Sequence, residues 1–145
     1  MQNIKFDAGI EEFGLGGGVL RFNPGDPNLY ARFLDTGDKI KALEKELVEK
    51  ASACDSENAP QELIRLMQQA DRDMKAHLNH VFGQGNDFEK LLEGVNLLAV
   101  AGNGQRVITN LFSALEPILV RGAERCAGEK TEAAVAKAKA RRASQ

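Results

Sequence analysis

Near the N-terminus apolar and polar residues take turns. Ile4 and Phe6 alternate with Lys5 and Asp7, and after a break Phe13 and Leu15 precede Gly16-Gly17-Gly18 and the run Val19-Leu20-Arg21-Phe22. Short alternating runs around a glycine cluster predict strands, as a β-hairpin or a small meander. Asn23-Pro24-Gly25-Asp26-Pro27 ends them, because proline and glycine set a turn and remove ladder donors. A two-stranded hairpin is marginal in water by itself, so this one must lean on helices or pair with another chain.

The pattern then changes to a helical spacing. Leu29, Phe33, Ile40, Leu43 and Leu47 share one face of a helix expected from Asn28 to about Ala53, with Thr36 filling the gap in the stripe. Asp26 or Asn28 can cap it, and Pro27 suits its first turn. Ser52 to Pro60 reads as a polar loop, with Pro60 in the first turn of the next helix. Leu63, Met67, Ala70, Met74, His77 and Val81 continue that helix as a single stripe to about Phe82. Two striped helices joined by a short loop predict an antiparallel pair. Gly83-Gln84-Gly85-Asn86 stops the helix. Asp87 can cap a short one through Glu93, ended by Gly94. Val95 to Ala101 is apolar except for Asn96; strand and buried helix cannot be separated there by pattern, and its neighbours favour helix. After the turn Gly102-Asn103-Gly104, a strongly apolar helix carries Val107, Ile108, Leu111, Phe112, Leu115, Ile118 and Leu119. Pro117 is expected to kink it or start a new turn.

The expected fold is mainly α: a small N-terminal β-hairpin followed by an antiparallel bundle of four to five helices. Residues 1–122 are read as one domain, with the hairpin in 1–24 and the bundle in 28–122, and 123–145 as a basic Ala/Lys/Arg-rich helical extension or flexible tail. At 145 residues the chain has the length of one ordinary domain. It lacks Trp and has one Tyr, so Leu, Val, Ile, Ala and Phe must build the core. The net charge of −2 implies no global attraction to nucleic acid or an acidic membrane. Basic residues collect at one end: Arg121, Arg125, Lys130, Lys137, Lys139, Arg141 and Arg142 stand there against Glu124, Glu129 and Glu132. No signal peptide is visible and no run approaches the roughly 20 apolar residues that span a bilayer. The expectation is a soluble protein that stays where it is made.

Candidate chemistry is sparse. His77 and His80, with Asp73 one turn before His77, could reach one metal from one helix, but His77 belongs to the apolar stripe and packing explains it better. The glycines from Gly14 to Gly18 lead into another strand-like run, whereas a dinucleotide fingerprint opens a helix. They read as a hairpin turn or bulge. Gly102-Asn103-Gly104 precedes a helix and could hold an anion, but plain turn chemistry accounts for it. Cys54 and Cys126 fit no metal spacing, and each lacks a nearby His in sequence. Lys137, Lys139, Arg141 and Arg142 carry no interleaved aromatic residues for base stacking, so a solubilising tail is the simpler reading. No catalytic residue, metal site or cofactor is expected. Core packing accounts for most of the apolar stripes, and any face left uncovered would serve a partner helix or an oligomer.

One stretch resembles a known family. Asp71-Arg72-Asp73-Met74, Val81-Phe82-Gly83-Gln84-Gly85, Leu92, Gly94, Val95-Asn96-Leu97, Ala99, the Gly102-Asn103-Gly104 turn and Asn110-Leu111-Phe112 are similar to the small tail assembly chaperones of long-tailed phages and prophages of Gram-positive hosts. The opening is similar too, with Phe22-Asn23-Pro24, Asp26-Pro27-Asn28, Arg32 and Phe33. The resemblance covers roughly residues 4–120. It departs after the glycine turn, where relatives often carry Pro and Trp and this chain has Gln105-Arg106-Val107-Ile108, and in its basic, Ala-rich tail. The resemblance implies a non-enzymatic factor in the host bacterial cytoplasm. Such a factor binds the helical tape measure protein and keeps it soluble until the tail tube assembles around it. Contact with the tail tube protein and self-association are further expectations, and Val107, Leu111, Phe112 and Leu115 are the candidate contact residues. The rival readings are a structural tail or head-tail connector subunit, whose hairpin would add to a neighbour's sheet, and an enzyme or nucleic-acid binder relying on the basic tail.

Overall fold

A computed structural model describes residues 1–54, 59–83 and 85–143. The fold is mainly helical with an N-terminal two-stranded antiparallel hairpin, as the sequence predicts. Strands β1 (Glu11–Leu15) and β2 (Gly18–Phe22) precede helices α1 (Pro27–Ala53), α2 (Ala59–Phe82), the single turn α3 (Phe88–Leu91) and α4 (Val107–Ala143).

Local sequence explains most of these boundaries. Gly16-Gly17 forms the two-residue turn between Leu15 and Gly18, and Gly16 takes a φ of 56°, which side-chain-bearing residues resist. Asp26 caps α1 by accepting the Asn28 N–H at 2.9 Å, with Pro27 as the first helical residue. Pro60 lies in the first turn of α2. The loop expected over Ser52–Pro60 falls in part on residues 55–58, and Gln84 of the expected stop signal is a further position outside the described residues. Asp87 caps α3 through the Glu89 N–H at 3.0 Å, and the helix ends at Leu91, short of the expected Glu93. Glu93 and Gly94 follow with φ of 53° and 78°, a left-handed exit that no helix continues through.

The core is one cluster. Leu29, Phe33 and Ile40 of α1 meet Met74, Leu78, Val81 and Phe82 of α2, and Ile108, Leu111, Leu115 and Leu119 of α4 complete it. α1 and α2 run antiparallel: Arg32 near the start of α1 donates to the Val81 carbonyl near the end of α2 at 3.1 Å, and Leu47 lies by Leu66 at the other end. Thr36 is buried in the gap of the stripe, where its position predicts it. The hairpin lies across one end. Phe13 stacks on Phe22 with ring centres 4.8 Å apart, Phe22 meets Phe82 edge-on at 4.9 Å, and Phe82 meets Phe88 at 5.5 Å. Its turn rests on α3, where the Gly17 N–H donates to the Leu91 carbonyl at 3.2 Å.

Two expectations are corrected. Ile4–Asp7 is not a strand: residues 1–10 carry no regular structure, and Ile4 and Phe6 are 88% and 80% exposed. The hairpin offers them no ladder partner. Val95–Ala101 is not a helix but a set of turns closed by a bridge between Val100 and Arg106. Its backbone groups go elsewhere. The Asn96 side chain takes the Leu98 N–H at 2.7 Å, Asp71 takes the Leu97 N–H at 2.8 Å, and the Leu97 and Ala99 carbonyls accept from Ile108 and Val107 at the start of α4. A helix would need those groups for itself.

α4 passes Pro117 unbroken. Proline leaves the Ser113 carbonyl without its helical donor, and both residues are exposed, so water can supply one. Further on, Gly122 packs directly on the Pro24 carbonyl, where a Cβ would collide with backbone. Gly122→Ala is therefore expected to cost about 1–3 kcal/mol through overpacking. Gly128→Ala in the same helix, where a Cβ meets nothing, should stabilise by about 0.5–1 kcal/mol. Urea unfolding midpoints of the two variants would move in opposite directions.

Candidate functional site

Two regions concentrate polar or accessible apolar groups. The first is an ion network on α2. Asp71 and Lys75 are 8% and 3% exposed, one helical turn apart. Lys75 Nζ donates to Asp71 Oδ2 at 2.9 Å and to Glu89 Oε2 of α3 at 2.6 Å, while Asp71 Oδ1 accepts the Leu97 N–H. Burial works to lower the Lys75 pKa, but hydrogen bonds and charge from Glu89 and Asp71 outweigh it, and the net shift is upward. Both Asp71 oxygens are engaged. Among the described residues no buried side-chain nitrogen or oxygen lacks a partner, so the buried polar atoms of the cluster are satisfied within the fold. Sequence reading missed it because Asp71 and Lys75 sit beside the apolar stripe and look like an ordinary surface pair. Their i,i+4 spacing was the available signal.

The second region is a groove of about 390 Å³ between α1 and α4. Phe33, Leu34, Ile40, Ile108 and Phe112 line its floor and walls, and Asp38, Lys41, Glu44 and Glu116 stand among its charged residues. Phe112 packs against Phe33 with ring centres 5.1 Å apart. Leu34 is 53% exposed, and Gly37, one turn on, has no side chain to close the groove. The four candidate contact residues divide here. Phe112 lines the groove half-buried. Val107, also half-buried, opens α4 with its N–H on the Ala99 carbonyl. Leu111 and Leu115 are core residues at 8% and 4% exposure, and a folded chain does not offer them to a partner. Leu34, Gly37 and Ile108 were missed. Leu34 falls off the α1 stripe, and an apolar residue in that position was the legible sign.

The remaining candidates are dispersed. His77 is half-buried, His80 exposed, and Asp73 accepts from Gln69 at 3.0 Å. Among the described residues no group of three His, Cys, Asp or Glu side chains is placed to hold a metal ion. Cys54 and Cys126 are unpaired in disulfides. Desolvation and then the Glu62 carboxylate push the Cys54 thiol pKa up, which disfavours the thiolate a nucleophile needs. The Gly102-Asn103-Gly104 turn satisfies itself: Asn103 Oδ1 accepts the Gln105 N–H at 3.1 Å, and the Gly104 N–H donates to Ala101. α4 extends well beyond the bundle, and Lys137, Lys139 and Arg141 are exposed on it. No helix of the described residues is long and apolar enough to cross a membrane. Comparison of the chain with models of protein families, with curated proteins and with solved structures gave no match.

Lys75→Met removes the cation from a buried carboxylate and is expected to destabilise by about 3–5 kcal/mol. Adding Asp71→Asn should recover part of that loss, since an amide oxygen still accepts from Leu97 and no charge is left unpaired. The pH dependence has a definite sign. Folding raises the Lys75 pKa, so its stabilisation is full below the unfolded lysine value of about 10.4 and fades as pH rises through the higher folded value. Melting temperatures across the alkaline range should fall more steeply for the natural chain than for Lys75→Met.

Proposed function

We propose that this chain is a non-enzymatic assembly chaperone of a long-tailed phage or prophage, acting in the host bacterial cytoplasm. It holds helical segments of the tape measure protein until the tail tube forms around them. The observation that carries the reading is the α1/α4 groove, an accessible apolar trough edged by both signs of charge. A trough of that kind suits the apolar face of an amphipathic helix, with anchors one turn apart. The residue pattern from Asp71 to Phe112 described above, similar to that of tail assembly chaperones, supports a tape measure protein as the partner. A holdase must also release its client, and a shallow groove with few deep anchors favours modest affinity over tight capture.

Co-expression with the tape measure protein tests the proposal. The natural chain is expected to raise the soluble fraction of the tape measure. Leu34→Asp should abolish that gain while changing the chain's own stability by less than about 0.5 kcal/mol, since Leu34 is a surface residue. Equal insolubility of the tape measure with and without the natural chain overturns the reading. Stoichiometric presence of the chain in purified virions would favour a structural tail or connector subunit instead.

A further inference from the structure

The hairpin has two outer edges, and they are finished differently. On β2, Arg21 turns its backbone outward. The Asn86 side chain accepts the Arg21 N–H at 3.0 Å and donates to the Arg21 carbonyl at 2.8 Å. Asn86, 6% exposed, thus does for that edge what a neighbouring strand would do. Glu12 is the partner of Arg21 in the ladder, and Gly14 that of Val19. In an antiparallel pair, residues opposite each other share one orientation, so Glu12 and Gly14 also turn their N–H and C=O groups outward, away from β2. Among the described residues no side chain or backbone group meets them, and a Cβ at Gly14 would stand in open space.

The segment before the hairpin has the complementary deficit. Ile4 and Phe6 alternate with Lys5 and Asp7 at strand spacing, yet both stay exposed among the described residues. The chain's own open edge is out of their reach. Asn23, just past β2, donates to the Ala8 carbonyl at 3.0 Å, and the Asp7 side chain takes the Gly9 N–H at 2.8 Å where Gly9 has a φ of 73°. These contacts send the arm out on the β2 side, opposite the free edge of β1.

We propose that the open edge of β1 takes residues Asn3–Asp7 of a second copy of this chain as a third, antiparallel strand. With Lys5 opposite Glu12 and Asn3 opposite Gly14, the outward groups of β1 gain partners at both positions. Ile4 then falls beside Phe13, which is half-buried on the core face of the hairpin, and Phe6 falls beside Glu11 on the same face. Lys5 falls opposite Glu12 on the outer face, a carboxylate that Arg21 Nε also approaches at 3.6 Å, and the opposite charges favour this register. Three strands with an apolar face also remove the marginality of a bare hairpin. Arm and edge are different surfaces, so the contact closes by reciprocal exchange in a dimer or head-to-tail in a ring. The inference rests on the hairpin and its arm, not on the proposed client.

The test is the mass of the intact chain in solution, by sedimentation or light scattering. The natural chain is expected at a multiple of 15.8 kDa. Ile4→Asp with Phe6→Asp, in an arm outside the core, should give monomer. Gly14→Pro should also give monomer, because the lost N–H is one the hairpin does not use. Mixing the two restores assembly, since one supplies an intact edge and the other an intact arm. If Gly14→Pro loses its helical circular dichroism, charge exchange decides: Glu12→Lys should weaken assembly and Lys5→Glu in the same chain should restore it. A monomeric natural chain at its highest soluble concentration overturns the proposal, as does unchanged mass in the arm variant or a mixture that stays monomeric. Solubility of the tape measure reads the chaperone role separately, so either proposal can fail alone.

Discussion

The Asp71 carboxylate sits where α2, α3 and the segment leading into α4 converge, and its two oxygens serve different neighbours. One holds Lys75, which reaches on to Glu89 of α3, and the other holds the backbone of Leu97. A buried ion pair contributes little net stability over an apolar replacement of the same shape. Its effect here is positional. With the Leu97 N–H committed to Asp71, residues 95–101 turn rather than coil into a helix, and the Leu97 and Ala99 carbonyls are left to receive the first N–H groups of α4. The start of α4 is therefore built by that segment, without a side-chain cap of its own. The Arg106 guanidinium reinforces the arrangement by donating to the Leu98 carbonyl.

The direction of α4 decides what the molecule exposes. Starting from that anchored turn, the helix brings Phe112 against Phe33 and Gly122 against Pro24, and so runs back along α1 toward the hairpin. Ile108, Leu111, Leu115 and Leu119 close the core along the way. Because Gly37 presents no side chain and Leu34 lies off the buried stripe, the seam between α1 and α4 stays open as a groove. Past Gly122 the helix continues to Ala143, with the Arg125 side chain still beside Gly25 and Lys137, Lys139 and Arg141 exposed.

The hairpin is held at the opposite level of organisation, by a chain of aromatic contacts and one amide. Phe13, Phe22, Phe82 and Phe88 link it to α2 and α3. Asn86 joins the Arg21 backbone to the Phe82 carbonyl and closes one edge of the ladder. A two-stranded ladder has a second edge, and no element among the described residues covers it. The exposed Ile4 and Phe6 and the open backbone of β1 are two sides of that single shortage.

Local sequence by itself determined the hairpin, the three long helices, the caps of α1 at Asp26 and of the single turn α3 at Asp87, and the turn glycines. Each depends on residues within one or two turns of one another, where spacing and backbone preference act directly. Thr36 was legible in the same way, as the one polar residue in a buried stripe. The segment Val95–Ala101 was not, because an apolar run of that length packs equally well as helix or turn. Its form was decided by Asp71, distant in sequence. The candidate contacts divide for a related reason: a stripe tells which residues are apolar, but Leu111 and Leu115 are buried, whereas Val107 and Phe112 stay half-buried and Phe112 is reachable because of where α1 meets α4. The alternation at Ile4 and Phe6 is a strand's pattern, but alternation does not tell whether a ladder partner lies within the same chain. Local chemistry set the elements. Their long-range hydrogen bonds and crossings, which bring together residues far apart in sequence, set which surfaces remain open.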